Sequence, residues 1–168
     1  IRTVFNILGP LTNPAQARTQ LIGVSDPDVA EIMAEVLNLL GSSHALVVHG
    51  ADGLDEITLG DETHVWELKD GKILNYSLFP DDLGLGRVSR DELRVDGVQE
   101  STDMLRDVLN GTHGPARDVV LANTAGALLA ANRASTLKHG VILASESIDS
   151  GAAKGKMDAL VDLSQQLR

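Results

Sequence analysis

Residues 20–49 constrain the fold more than any other stretch, because they contain a complete strand, helix and strand unit. The apolar run 20–24 leads into Asp26-Pro27, a side chain suited to the N-cap position followed by the proline tolerated at the first helical position. Val29, Ile32, Met33, Val36, Leu37 and Leu40 then recur at spacings of three and four, and Gly41 stands where a left-handed residue closes a helix. A second apolar run, 45–49, follows at once. Two short buried runs joined by an amphipathic helix predict a βαβ unit with parallel strands and a right-handed crossover.

The second run opens directly into His49-Gly50-Ala51-Asp52-Gly53-Leu54-Asp55-Glu56, a turn-rich acidic loop. In open α/β sheets ligands gather outside the carboxyl ends of the strands, so this loop lies where chemistry is usually done. Asp55 and Glu56 are adjacent, Asp52 is near, and no Lys or Arg falls between Arg18 and Lys69. Together such carboxylates are costly unless they are solvated or share a cation. Mg²⁺ suits oxygen ligands of this kind, since it keeps much of its water and bridges one or two carboxylates to a substrate phosphate. The simpler reading, which residue types alone favour, is a solvated acidic turn that uses Gly50 and Gly53 for positive φ angles.

Upstream, Val4, Phe5, Ile7 and Leu8 predict a short helix, ended by a loop that Pro10, Asn13 and Pro14 shape. Downstream, residues 63–68 and 72–78 flank Asp70-Gly71, the two-residue signal of a type I′ hairpin, which makes the sheet mixed. Residues 80–86 read as a loop, and Ser89-Arg90-Asp91-Glu92 has the form of a capping box opening a short helix. From Ser101 onward the strand signals stop. Met104, Leu105, Val108 and Leu109 mark a helix closed by Gly111, and Pro115 opens another that runs to about Asn132. This second helix is rich in small residues that permit close packing. Leu137, Val141, Ala144 and Ile148 fit a third, and Ala153, Met157, Leu160 and Val161 a fourth. The fold class expected is α/β: a mixed β-sheet with flanking helices and a helical C-terminal region, in a single domain over residues 1–168. The Gly/Pro/Asp-rich segment 80–97 is the one candidate linker, and it is too short to divide the chain.

The formal net charge of −10 argues against a nucleic-acid or anionic-membrane surface, which needs clustered cations. There is no cysteine, so disulfides and thiolate zinc sites are excluded. No apolar stretch is long enough to span a bilayer. Gly151-Ala152-Ala153-Lys154-Gly155-Lys156 has one residue too few between its glycines for a phosphate loop, and no Ser or Thr follows the lysine. His44, His49, His64, His113 and His139 show no metal-ligand spacing. The chain begins at Ile1 without a signal-like segment, and the expectation is a piece of a longer protein.

Two stretches go beyond residue types. Residues 2–14, Arg-Thr-Val-Phe-Asn-Ile-Leu-Gly-Pro-Leu-Thr-Asn-Pro, and 48–56, Val-His-Gly-Ala-Asp-Gly-Leu-Asp-Glu, resemble signature segments of the anthranilate phosphoribosyltransferases. The hairpin, the 79–85 segment and the helical tail resemble that family too, so the likeness covers essentially the whole chain. It implies the large-domain fold shared with nucleoside phosphorylases. It also implies transfer of a phosphoribosyl group from phosphoribosyl pyrophosphate to the amine of anthranilate, with Mg²⁺ and release of pyrophosphate, in a cytoplasmic, homodimeric enzyme of tryptophan biosynthesis. By position, Arg2 would pair with the anthranilate carboxylate, a match for a guanidinium fork. Asp55 and Glu56 would hold a Mg²⁺ that neutralises the departing pyrophosphate, which reverses the preference for a solvated turn. Asn123 matches a family position expected to be structural.

The family's glycine-rich phosphate-binding loop and its N-terminal helices would lie before Ile1. The chain alone is therefore expected to lack transferase activity and to expose apolar surface along its sheet. A nucleoside phosphorylase has little need of the acidic pair, and the charge argues against a non-catalytic, nucleic-acid-binding member.

Overall fold

A computed structural model describes residues 8–167. Arg2 lies outside that range, and so does the expected short helix before Pro10 as far as Ile7. A 3-10 turn, Gly9–Thr12, precedes β1, Thr19–Gly23. A 3-10 turn, Pro27–Val29, then leads into helix α1, Ala30–Leu39, and β2 is His44–Gly50. Asp26 caps the start by accepting from the Asp28 amide at 3.2 Å. At the other end Gly41 takes φ +86°, and the Gly41 and Ser42 amides bond back to Asn38 and Leu37 at 3.0 and 2.9 Å.

β1 and β2 pair in parallel from Thr19 with His44 to Gly23 with Val48, so the βαβ reading holds. β3, Thr63–Lys69, and β4, Lys72–Leu78, continue the sheet antiparallel in the order β1-β2-β3-β4. Asp70 and Gly71 both take positive φ, 50° and 78°, as a type I′ turn requires.

The sheet is packed on both faces, and this is why every residue of β2 is buried. Leu46, Val48, Val65 and Leu78 point to one side, where Val119, Ala122 and Ala125 meet them. Ala45, Val47 and Leu68 point to the other, onto Ala30, Met33, Ala34 and Leu37 of α1.

The segment read as a loop over 80–86 instead begins with one helical turn, α2, Pro80–Leu83. Proline at its first position supplies a helical φ, the Asp82 carboxylate accepts from the Phe79 amide at 2.9 Å, and Gly84 closes the turn at φ +72°. The capping box at Ser89 forms as expected, with Glu92 accepting from the Ser89 amide at 2.8 Å, and it opens a 3-10 turn, Arg90–Leu93. The remaining helices are α3, Val98–Leu109, α4, Pro115–Ala130, α5, Leu137–Asp149, and α6, Ala152–Gln166. Small residues do set the α4–α5 spacing: a Cβ on Gly140 would stand 2.8 Å from the Ala125 Cα. No residue of α6 is buried.

Candidate functional site

The acidic loop leaves β2 at its carboxyl end. The Gly50 amide bonds to the Leu54 carbonyl and the Gly53 amide to the Gly50 carbonyl, both at 2.8 Å, with Gly53 at φ +88°. Asp52 faces inward, where it accepts from Thr58 Oγ1 at 2.6 Å and from the Leu54 amide at 3.2 Å. It is the loop's internal brace, and Arg90 secures it from outside by donating to its carbonyl at 3.0 Å.

Asp55 and Glu56 face solvent at the rim of a cleft of about 360 Å³ that is also lined by Leu21, Gly23 and Asn123. Three supports hold this short segment. Gly23 lies directly under the Asp55 carbonyl. Ile57, the next residue after the pair, is fully buried. Asn123 of α4 accepts from the Ile57 amide at 2.8 Å and donates to the Ile57 carbonyl at 3.0 Å. The expectation that Asn123 is structural agrees with this geometry.

Burial, and then the neighbouring Asp55 charge, hold the Glu56 carboxyl above the usual value of 4.5. Among the described residues neither carboxylate pairs with a cation. Two adjacent carboxylates at the mouth of a cleft, unpaired with any cation among the described residues, fit a divalent cation that completes its shell with water and a ligand's phosphate. They do not form a closed protein cage, and no group of three or more His, Cys, Asp or Glu placed to hold a metal occurs among the described residues.

The histidines stand apart from this chemistry. His44 Nε2 is 2.8 Å from Glu67, which also accepts from Tyr76 at 3.0 Å. Burial, then Glu67, push the Tyr76 phenol far above its usual range. His49 Nδ1 bonds to the Val24 carbonyl at 2.8 Å, and its ring stacks on His64 with centroids 6.5 Å apart.

Sequence reasoning passed over Gly23 and Arg117. Arg117 is 2% exposed and forms an ion pair with Asp149 at 2.8 Å, joining α4 to α5. The signal was its place four residues before Leu121 on a buried stripe.

A mixed sheet with a parallel βαβ unit, carrying paired carboxylates beyond a strand's carboxyl end, fits an α/β glycosyl-transfer domain. A sequence model described as "Glycosyl transferase family, a/b domain" matches residues 1–154, and the chain belongs to that family. Within it, the likeness is to anthranilate phosphoribosyltransferases. The chain is 49% identical over 168 residues to the enzyme of Symbiobacterium thermophilum, covering 100% of this chain and 49% of that one. To the Neisseria gonorrhoeae enzyme it is 52% identical over 166 residues, covering 98% and 48%. The crystal structure of anthranilate phosphoribosyltransferase from Thermus thermophilus superposes with a TM-score of 0.87 at 41% identity, over 96% of this chain and 48% of that one. The Saccharomyces cerevisiae enzyme in complex with PRPP and Mg gives 0.85 at 30% identity, over 96% and 47%. The chain thus spans about half the length of the curated relatives it matches.

Proposed function

We propose that this chain is part of an anthranilate phosphoribosyltransferase, which joins the phosphoribosyl group of phosphoribosyl pyrophosphate to the anthranilate amine and releases pyrophosphate, in tryptophan biosynthesis. The observation that carries the reading is the acidic pair itself: Asp55 and Glu56 project from one braced segment into a cleft, without a cation from the described residues. The Saccharomyces cerevisiae relative has been solved in complex with PRPP and Mg and, separately, with 4-fluoroanthranilate, which supports the same substrate classes here.

In this reading Asp55 and Glu56 bind Mg²⁺, and the metal supplies charge neutralisation for the departing pyrophosphate. The chain's own residues prepare that arrangement. Gly23 admits the Asp55 backbone, Asn123 and buried Ile57 fix the segment after Glu56, and Asp52 closes the loop behind them. Arg2 is assigned to the anthranilate carboxylate, a bidentate match. No helix among the described residues is long and apolar enough to cross a membrane. We place the parent enzyme, by the same resemblance, as a cytoplasmic homodimer.

Calorimetric titration of Mg²⁺ with phosphoribosyl pyrophosphate present and absent, on this chain and on its Asp55→Asn/Glu56→Gln variant, tests the reading. Binding that needs both the carboxylates and the diphosphate is the expected result. Equal heats from the unaltered and doubly substituted chains would remove the pair from the metal site.

A further inference from the structure

The acidic pair sits on a segment with no regular structure of its own, so something else must decide where its two carboxylates point. The preceding strand does not: β2 ends at Gly50, and the chain turns twice before Asp55. The following strand does not either, because β3 starts only at Thr63. The side chain that reaches the segment comes from 66 positions away in the sequence.

Asn123 grips a single residue by both of its backbone groups. Its Oδ1 accepts from the Ile57 amide at 2.8 Å and its Nδ2 donates to the Ile57 carbonyl at 3.0 Å, the two-bond pattern that paired strands use. The same Nδ2 also bonds to the Val119 carbonyl at 3.0 Å, inside its own helix, which fixes the amide's orientation relative to α4. It stands 3.5 Å from Glu56 Oε2, the outer limit of a hydrogen bond. The Ile57 amide that Asn123 holds belongs to the peptide unit joining Glu56 to Ile57. Fixing that plane anchors the Glu56 Cα, which lies in it, and so limits where the Glu56 side chain can depart.

We propose that Asn123 is the positioning residue of the acidic pair: by clamping Ile57 to α4 it sets the separation and aim of the Asp55 and Glu56 carboxylates for a divalent cation. This rests on the reading of the pair as a metal site. Groups that orient metal ligands from behind are worth about 10- to 100-fold in metal affinity. A residue that only filled space in the core would change stability and leave affinity untouched.

The test uses Mn²⁺ as the probe, with phosphoribosyl pyrophosphate present throughout, and reads paramagnetic broadening of the Asp55 and Glu56 amide signals. It compares the chain with Asn123→Ser, which removes the two-bonded clamp, and with Asn123→Gln, which keeps the amide on a longer stem and shifts the segment. Leu121→Ala is the control. Leu121 is buried on the same helix, but it packs in a separate cluster with Val108, Ala144 and Ile148, so this variant loses stability without touching the loop. The expected result is a loss of Mn²⁺ affinity of about tenfold or more in both Asn123 variants, with Leu121→Ala binding like the unaltered chain. Folded Asn123 variants that bind Mn²⁺ as tightly as the unaltered chain would overturn the assignment, as would equal weakening by Leu121→Ala. Failure of both Asn123 variants to fold, with Leu121→Ala folded, would also overturn it, because Asn123 would then be a residue the core cannot form without. Absence of broadening in the unaltered chain itself would refute the metal site, and the assignment with it.

Discussion

Gly23, the last residue of β1, lies against the Asp55 carbonyl so closely that a Cβ on it would occupy that oxygen's place. The contact is backbone to side-chain position, and a backbone carbonyl inside a braced loop has nowhere to swing.

Gly23→Ala is therefore expected to push the Asp55-Glu56 segment off the end of β1. The cost of such overpacking is about 1–3 kcal/mol. The thermal midpoint should fall and divalent-cation binding should weaken with it. Gly126→Ala is the matched comparison: there a Cβ would meet the tip of the Ile57 side chain at 2.8 Å, and a side-chain tip can turn away. Thermal melts of the two variants check this, and a Gly23→Ala midpoint no lower than that of Gly126→Ala would show that the close approach does not constrain the loop.

Glu56 supplies a pH dependence with a definite sign. Its carboxyl is held above 4.5 by burial and then by Asp55, so the folded chain binds its proton more tightly than the unfolded chain does. The stability this gives is complete below 4.5 and is lost as pH rises through the elevated folded value. At neutral pH the ionised Glu56 thus opposes folding, by less than about 1 kcal/mol because solvent screens a side chain on the rim. Glu56→Gln should melt higher than the unaltered chain at neutral pH, with the difference closing in acid. Melts across a pH series read this directly. A Glu56→Gln midpoint lower than that of the unaltered chain at neutral pH would mean that a favourable contact outweighs the charge repulsion.

The elements that the sequence made legible are those whose cause is local. Asp70-Gly71 forces the hairpin, Gly41 and Gly111 end helices with positive φ, and Ser89 with Glu92 builds its own cap within four residues. Asp55 and Glu56 stood out as adjacent carboxylates after a buried strand, but residue types alone favoured a solvated turn, and it was the likeness of residues 48–56 to a family segment that pointed to a metal. What stayed hidden depends on contacts between distant segments. Nothing near Gly23 announces that Asp55 will rest on it, since it reads as one more residue of an apolar run. Asp52 carries the same charge as its neighbours, and only the return of Thr58 turns it inward. Residues 80–86 held too few apolar positions to show a period, yet Pro80 and Asp82 were enough for one turn.

The Arg117–Asp149 pair is unequal, and that inequality decides which substitution harms the fold more. The guanidinium is 2% exposed, with Nη1 and Nη2 on the two Asp149 oxygens at 2.8 and 3.0 Å, and it also bonds to Ser145 Oγ at 2.8 Å and to the Gly111 carbonyl at 3.2 Å. The Asp149 side chain is 52% exposed. Removing the aspartate charge leaves a buried cation without a counter-charge, whereas removing the arginine leaves an aspartate that water can solvate. Asp149→Asn should therefore lower the thermal midpoint more than Arg117→Met, which replaces the guanidinium with an apolar chain that can fill part of its space. The pH dependence runs opposite to that of Glu56. Hydrogen bonds from Arg117 and then Ser145 hold the Asp149 carboxyl below its usual 3.8, so its contribution is present above 3.8 and is lost as pH falls through the lowered value. The gap between the unaltered chain and Asp149→Asn should accordingly narrow in acid. If Arg117→Met proves the more damaging, the arginine's role lies in the packing of its stem and its bonds to Ser145 and Gly111 rather than in its charge.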